Sequence, residues 1–124
     1  MTKLSRQSIA NLKGVDPRLV QLAIKAREIA PFPFEITEGL RTLERQRYLV
    51  ATGKSKTLKS YHLRGKAMDF VAKPDGVSWK LADYKTLIAK AFKPAAKALD
   101  LTDIITYGAE WKTIVDGPHI QIED

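Results

Sequence analysis

The sequence predicts an α+β fold, a small antiparallel sheet packed with helices in a single domain over residues 1–124. Two observations carry this expectation. Apolar residues recur at helical spacing near the front of the chain, and short segments rich in β-branched and aromatic residues are spread through the rest. A chain of 124 residues can bury one core of its own without cross-links.

The elements follow in order. Asp16-Pro17 is an N-cap followed by proline at the first helical position, and Leu19, Leu22, Ala26 and Ile29 give the helix after it an apolar face. Pro31 and Pro33 end that helix. Phe34 to Thr37 reads as a strand. A helix from about Leu43 to Ala51 follows, with Gly53 suited to its C-terminal cap. Lys54 to Tyr61 is a polar, basic loop, Lys66 to Ala72 a strand, and Pro74-Asp75-Gly76 a turn. A helical stretch covers Ser78 to Leu99, and Pro94 should kink or split it, because proline lacks the backbone donor. Asp103 to Thr106 is a short strand, Tyr107 to Gly117 mostly loop, and His119 to Glu123 the last strand.

Composition narrows the function classes. The chain has no cysteine, which excludes disulfides and thiolate metal sites. Its apolar runs are only a few residues long, so no membrane insertion is expected. The polar start of the chain lacks the apolar stretch of a secretory signal, so the protein is expected in the cytoplasm unless something else exports it. The formal charge of +7 is unevenly placed: Arg45 to Met68 holds seven Lys or Arg and no acid, whereas Asp100 to Asp124 holds six acids against Lys112. A basic surface of this kind attracts anionic partners such as nucleic acid, acidic membranes or cell wall.

Two histidines are present. His62 sits in Ser60-Tyr61-His62-Leu63-Arg64-Gly65-Lys66-Ala67-Met68-Asp69 and His119 in Asp116-Gly117-Pro118-His119. A catalytic zinc site takes three protein ligands, commonly histidine and carboxylate, and keeps one position open. His62, Asp69 and His119 meet that need if the last strand pairs with the strand carrying Asp69. Side chains alternate along a strand, so His119 and Gln121 then face a cleft while Ile120 and Ile122 face the core. Gly65 allows the turn between His62 and Asp69.

The spacing Ser-x-His-x-x-Gly-x-Ala-x-Asp, followed far downstream by Asp-x-Pro-His, resembles the M15 family of zinc peptidases. Ile36-Thr37-Glu38-Gly39-Leu40-Arg41-Thr42 is similar to that family's Gly-x-Arg segment, and Tyr107-Gly108-Ala109-Glu110-Trp111 to its Gly-x-x-Trp element. The resemblance covers nearly the whole chain and is strongest to phage endolysins that cut the L-alanyl-D-glutamate bond of peptidoglycan. It implies a hedgehog/DD-peptidase-like fold, a zinc cofactor, peptidoglycan as partner, and a monomer held in the host cytoplasm until a separate pore releases it to the wall. It also implies roles. Asp116 is the catalytic acid/base, with Glu110 the fallback. Arg41 steadies the polarised carbonyl or a substrate carboxylate. Ser60 binds substrate or supports His62, and Gln46 is a weaker candidate. Trp111 and Tyr107 are core, cleft wall or substrate contacts.

Three rivals remain at this level. A D-alanyl-D-alanine carboxypeptidase of the same family would trim a terminal residue. A nucleic-acid-binding module would use the basic stretch, but no recognised motif and no regular aromatic interleaving support it. A metal-binding relative without catalysis would not need Asp116.

Overall fold

The computed structural model describes residues 3–55, 60–112 and 115–124. The middle of the expected basic loop, 56–59, lies outside them, as do 113 and 114 in the expected loop before the last strand. The elements are α1 (Arg6–Asn11), α2 (Pro17–Ile29), β1 (Phe34–Glu38), α3 (Leu43–Ala51), a 3₁₀ turn (Tyr61–Arg64), β2 (Ala67–Ala72), α4 (Leu81–Leu87), a π turn (Ile88–Phe92), α5 (Lys93–Ala98), β3 (Ile105–Tyr107) and β4 (His119–Ile122). The fold is α+β, as expected. The described strands form one antiparallel sheet in the order β1-β2-β4-β3.

Alternation along the strands sorts the sheet into two faces. Phe34 and Ile36 of β1, Met68, Phe70 and Ala72 of β2, and Ile120 and Ile122 of β4 point into the core. There they meet Leu19, Leu22 and Ala26 of α2 and Leu87, Ile88, Ala91, Phe92 and Ala95 of the later helices. Phe70 packs on Phe34 and Phe92 at ring separations of 5.8 and 5.0 Å. Each such side chain removed from water contributes roughly 1.5–3 kcal/mol before the entropic cost of ordering it. The opposite face of β2 and β4 carries Asp69, His119 and Gln121.

Three departures from the sequence reading have local causes. α1 was not expected: six residues show too little periodicity to announce a helix. Ser5 caps it by accepting from the Ser8 N–H. Tertiary contacts then hold it on the outer edge of β1, where the Ile36 N–H donates to Ser8 Oγ at 2.8 Å and the Ile36 carbonyl accepts from Asn11 Nδ2 at 2.8 Å. The polar groups of an edge strand are thereby satisfied and covered. The helical stretch starts at Leu81, not Ser78, because the Ser78 N–H donates to the Ala72 carbonyl and extends the sheet instead. β3 begins at Ile105, two residues after the expected Asp103, because Thr102–Ile104 forms a 3₁₀ turn.

Pro94 splits the long helix as expected, and the manner is specific. The turn before it widens, so the Lys93 N–H reaches the Ile88 carbonyl five residues back. Pro94 then falls in the first turn of α5, where no intrahelical donor is needed.

Candidate active site

Asp69 and His119 are direct partners across the β2–β4 ladder. His62 arrives from the 3₁₀ turn that precedes β2. Ser60 caps that turn, its Oγ accepting from the His62 N–H at 3.2 Å. Gly65 closes the turn in the left-handed region at φ 68°, and a Cβ there would sit 2.4 Å from the Gly14 carbonyl oxygen. The turn therefore folds back tightly enough to bring His62 over the strand.

His62 Nε2 and His119 Nδ1 both stand 3.2 Å from Asp69 Oδ1. One donor atom from each of the three residues lies within 4.8 Å of the others. The outer nitrogens are occupied. His62 Nδ1 is 2.8 Å from the Gly39 carbonyl oxygen, and His119 Nε2 is 2.7 Å from Gln121 Oε1. A carbonyl only accepts, so His62 carries its proton on Nδ1 and turns the Nε2 lone pair inward. Two imidazoles and a carboxylate converging this way could hold a metal ion, with second partners orienting the rings. Burial opposes charge on Asp69, whereas protonated imidazoles at His119 and His62 would donate to it and hold the carboxyl below the ordinary carboxylate range; the neutral rings instead face it with lone pairs.

The three residues line a cleft of about 510 Å³ together with Glu38, Arg41, Ser60, Trp111 and Asp116. Asp116 is held by backbone: its N–H donates to the Gly108 carbonyl at 3.0 Å, and its own carbonyl accepts from the His119 N–H at 3.1 Å. A side chain at Gly108 would meet the Asp116 carbonyl oxygen at 2.1 Å and the Cβ atoms of Asp116 and His119 at 3.0 Å, so that position must be glycine for both to fit. Burial, and then the negative charge of Asp69, push the Asp116 carboxyl above its ordinary value, while His119, His62 and Arg41 pull it back. A carboxyl raised in this way is suited to trading protons.

Arg41 is not a surface residue; its side chain is only 8% exposed. Glu38 grips it with both oxygens, at 2.7 Å from Nε and 3.0 Å from Nη2. Nη1 donates to Gln46 Oε1 at 2.7 Å, and Nη2 lies 3.8 Å from Asp69 Oδ2. Gln46 is fully buried and donates in turn to Ser55 Oγ. Glu38 reaches this face through a bulge. Ile36 pairs with Phe70 but Glu38 pairs with Asp69, so β1 inserts one extra residue and turns Glu38 toward the cleft.

Trp111 forms part of the cleft wall, its ring 5.2 Å from that of His119. Tyr107 belongs to the core. Glu110, the fallback base, is turned away from the cleft: it pairs with Lys93 at 2.6 Å, is 47% exposed, and lines separate hollows. Sequence reasoning assigned no role to Glu38 or Gln121, although Glu38 stands three residues before Arg41 and Gln121 two residues after His119 on an alternating strand.

Comparison with known proteins agrees with this geometry. Residues 1–122 match the family described as phage L-alanyl-D-glutamate peptidase. The chain is 31% identical over 118 residues to the L-alanyl-D-glutamate peptidase of Escherichia phage T5, covering 92% of this chain and 85% of that protein. It is 41% identical over 87 residues to the L-alanyl-D-glutamate peptidase of Listeria phage A118, covering 69% of this chain and 29% of that longer protein. The crystal structure of the Serratia marcescens L-Ala D-Glu endopeptidase ChiX superposes with a TM-score of 0.88 at 42% identity, over 97% of this chain and 89% of that one. The fold, the converging donor set and a match along almost the whole chain lead to one conclusion: this protein belongs to the phage L-alanyl-D-glutamate peptidase family.

Proposed function

We propose that this chain is a zinc-dependent endopeptidase that hydrolyses the L-Ala-D-Glu bond of peptidoglycan stem peptides. The observation that carries the reading is the convergence of His62, Asp69 and His119 in one cleft with Asp116 and Arg41 beside them. The two imidazoles and one carboxylate suit zinc, which favours nitrogen and carboxylate donors and keeps one position open. When bound, zinc supplies Lewis acidity toward a carbonyl and makes water acidic enough to act as nucleophile near neutral pH.

The chain's own residues do the rest. Asp116 accepts a proton as water adds to the L-Ala carbonyl carbon, then delivers it to the D-Glu nitrogen as the C–N bond breaks. Arg41, immobilised by Glu38 and Gln46, presents its remaining donors toward the cleft. There they stabilise charge growing on the carbonyl oxygen, or bind a substrate carboxylate. Ser60 supports the turn carrying His62 and lies at the cleft wall, within reach of substrate. The four described strands share one hydrophobic core with α2, α4 and α5, which supports a single catalytic domain.

The phage origin of two relatives supports a role in host lysis. Acting on the wall from the host cytoplasm then requires a separate pore. Among the described residues, no helix is long and apolar enough to cross a membrane.

Digestion of purified peptidoglycan with the zinc-loaded protein tests the reading. New amino termini on D-Glu are expected. Release of free D-alanine alone would establish the carboxypeptidase alternative, and intact stem peptides with zinc in place would overturn the cell-wall reading.

A further inference from the structure

We propose that Gln121 and Glu123 are positioning residues that set the tautomer of His119, so that its Nδ1 presents a lone pair to the metal; this rests on the metal reading above. His119, Gln121 and Glu123 alternate onto one side of β4 and its extension, and their side chains bond in series. His119 Nε2 lies 2.7 Å from Gln121 Oε1, and Gln121 Nε2 donates to Glu123 Oε1 at 2.6 Å.

The far end dictates the direction of this chain. An ionised carboxylate has no proton to give, so the amide must turn its NH₂ toward Glu123. The amide oxygen then faces His119 and only accepts, so His119 Nε2 carries a hydrogen. In a neutral imidazole that leaves Nδ1 bare, and Nδ1 is the nitrogen facing Asp69 Oδ1 at 3.2 Å. Nothing on the neighbouring strand redirects the amide. Thr106 is the cross-strand partner of Gln121, and its hydroxyl makes no hydrogen bond among the described residues. The two imidazoles are thus oriented by different means. A backbone carbonyl, that of Gly39, orients His62, and no side-chain substitution removes it. His119 depends on a side-chain relay that begins at an exposed carboxylate.

The test uses the whole chain and two readouts: the zinc dissociation constant, by competition with a chromophoric chelator, and the ¹⁵N NMR signals of the His119 ring, with and without zinc. In the unaltered protein, Nε2 should carry the hydrogen and Nδ1 should shift on zinc binding. Gln121→Leu, which removes the acceptor, should weaken zinc binding about 10–100-fold, the usual cost of losing an outer partner of a metal ligand. Glu123→Lys is the sharper variant and lies on the surface, so it carries the test if the buried change fails to fold. The new ammonium attracts the amide oxygen, the NH₂ turns to His119, and the ring hydrogen moves to Nδ1. Zinc binding should fall and the ¹⁵N pattern should invert. The double change Gln121→Glu with Glu123→Gln keeps an acceptor beside Nε2 and a donor behind it, and should restore the affinity. If the unaltered protein binds zinc while Gln121→Leu or Glu123→Lys binds it equally well, the relay is wrong and the metal site stands. Zinc bound through Nε2 of His119 would overturn it too. An unaltered protein that takes up no zinc would remove the metal reading itself.

Discussion

Lys66 and Asp69 stand three residues apart, yet they belong to charge clusters of opposite character. At Lys66 the cluster is complete. Asp16 accepts from the Arg18 N–H and from Arg18 Nη2 and Lys66 Nζ, the last two at 2.7 Å, and Asp124 bonds to the same two cations. Two carboxylates meet two permanent cations, and the result ties the start of α2 to the start of β2 and to the last residue of the chain. At Asp69 the arrangement is unfinished. One oxygen is shared between two imidazoles whose outer nitrogens are already engaged, and Arg41, 3.8 Å from the other oxygen, is gripped by Glu38. A carboxylate with its own counter-ions is a clamp, whereas one facing two inward lone pairs is a place for a metal. Charge content does not separate the two regions; saturation does.

The largest expected effect lies at the unfinished cluster. His62→Ala or His119→Ala should lose most of the zinc and the activity, whereas Asp116→Asn should keep the zinc and the fold but lower turnover about 10²–10⁴-fold. Metal analysis beside kinetics separates the ligand from the base. Full zinc retention in both histidine variants would erase the distinction between the clusters.

Arg41→Lys is expected to act next. Zinc content should not change, but turnover should fall by up to about 100-fold, because lysine lacks the planar fork that Glu38 and Gln46 hold in place. Steady-state kinetics at equal zinc loading decide it. Unchanged turnover would make the buried Arg41 a clamp like Arg18, not a participant.

The smallest effect belongs to the complete cluster. Asp16→Ala removes an N-cap, worth about 1 kcal/mol, and should leave zinc content intact. Its pH dependence has a definite sign. The hydrogen bond from Arg18, against the opposing effect of burial and with help from Lys66, holds the Asp16 carboxyl well below the usual carboxylate range. A group depressed in the folded state stabilises above its unfolded pKa of about 3.9 and loses that contribution as pH falls below it toward the folded value. Thermal melts of Asp16→Ala and the unaltered protein should therefore differ at neutral pH and converge in strong acid. A gap that persists undiminished there would mean that the cluster contributes through packing, not charge.

What could be read directly from the chain was chemistry written over short distances. Asp16-Pro17 and the apolar stripe after it announce α2, and Pro94 announces a break, because caps and proline geometry act within one helical turn. The two histidines, with no cysteine to compete, restrict which residues can hold a metal. Strand alternation places His119 and Gln121 on one face and Ile120 and Ile122 on the other, as the structure has them. The remaining features join residues far apart in the chain. α1 forms because Ser8 and Asn11 meet the edge of β1 some 25–28 residues away. Glu38 faces Asp69 only because a bulge shifts the β1–β2 register. Glu110 leaves the cleft because Lys93 lies across from it. Register and edge contacts are chosen by whichever pairing buries the most apolar surface while leaving the fewest polar groups unpaired. That sum is taken over the whole core, so only the tertiary structure decides it.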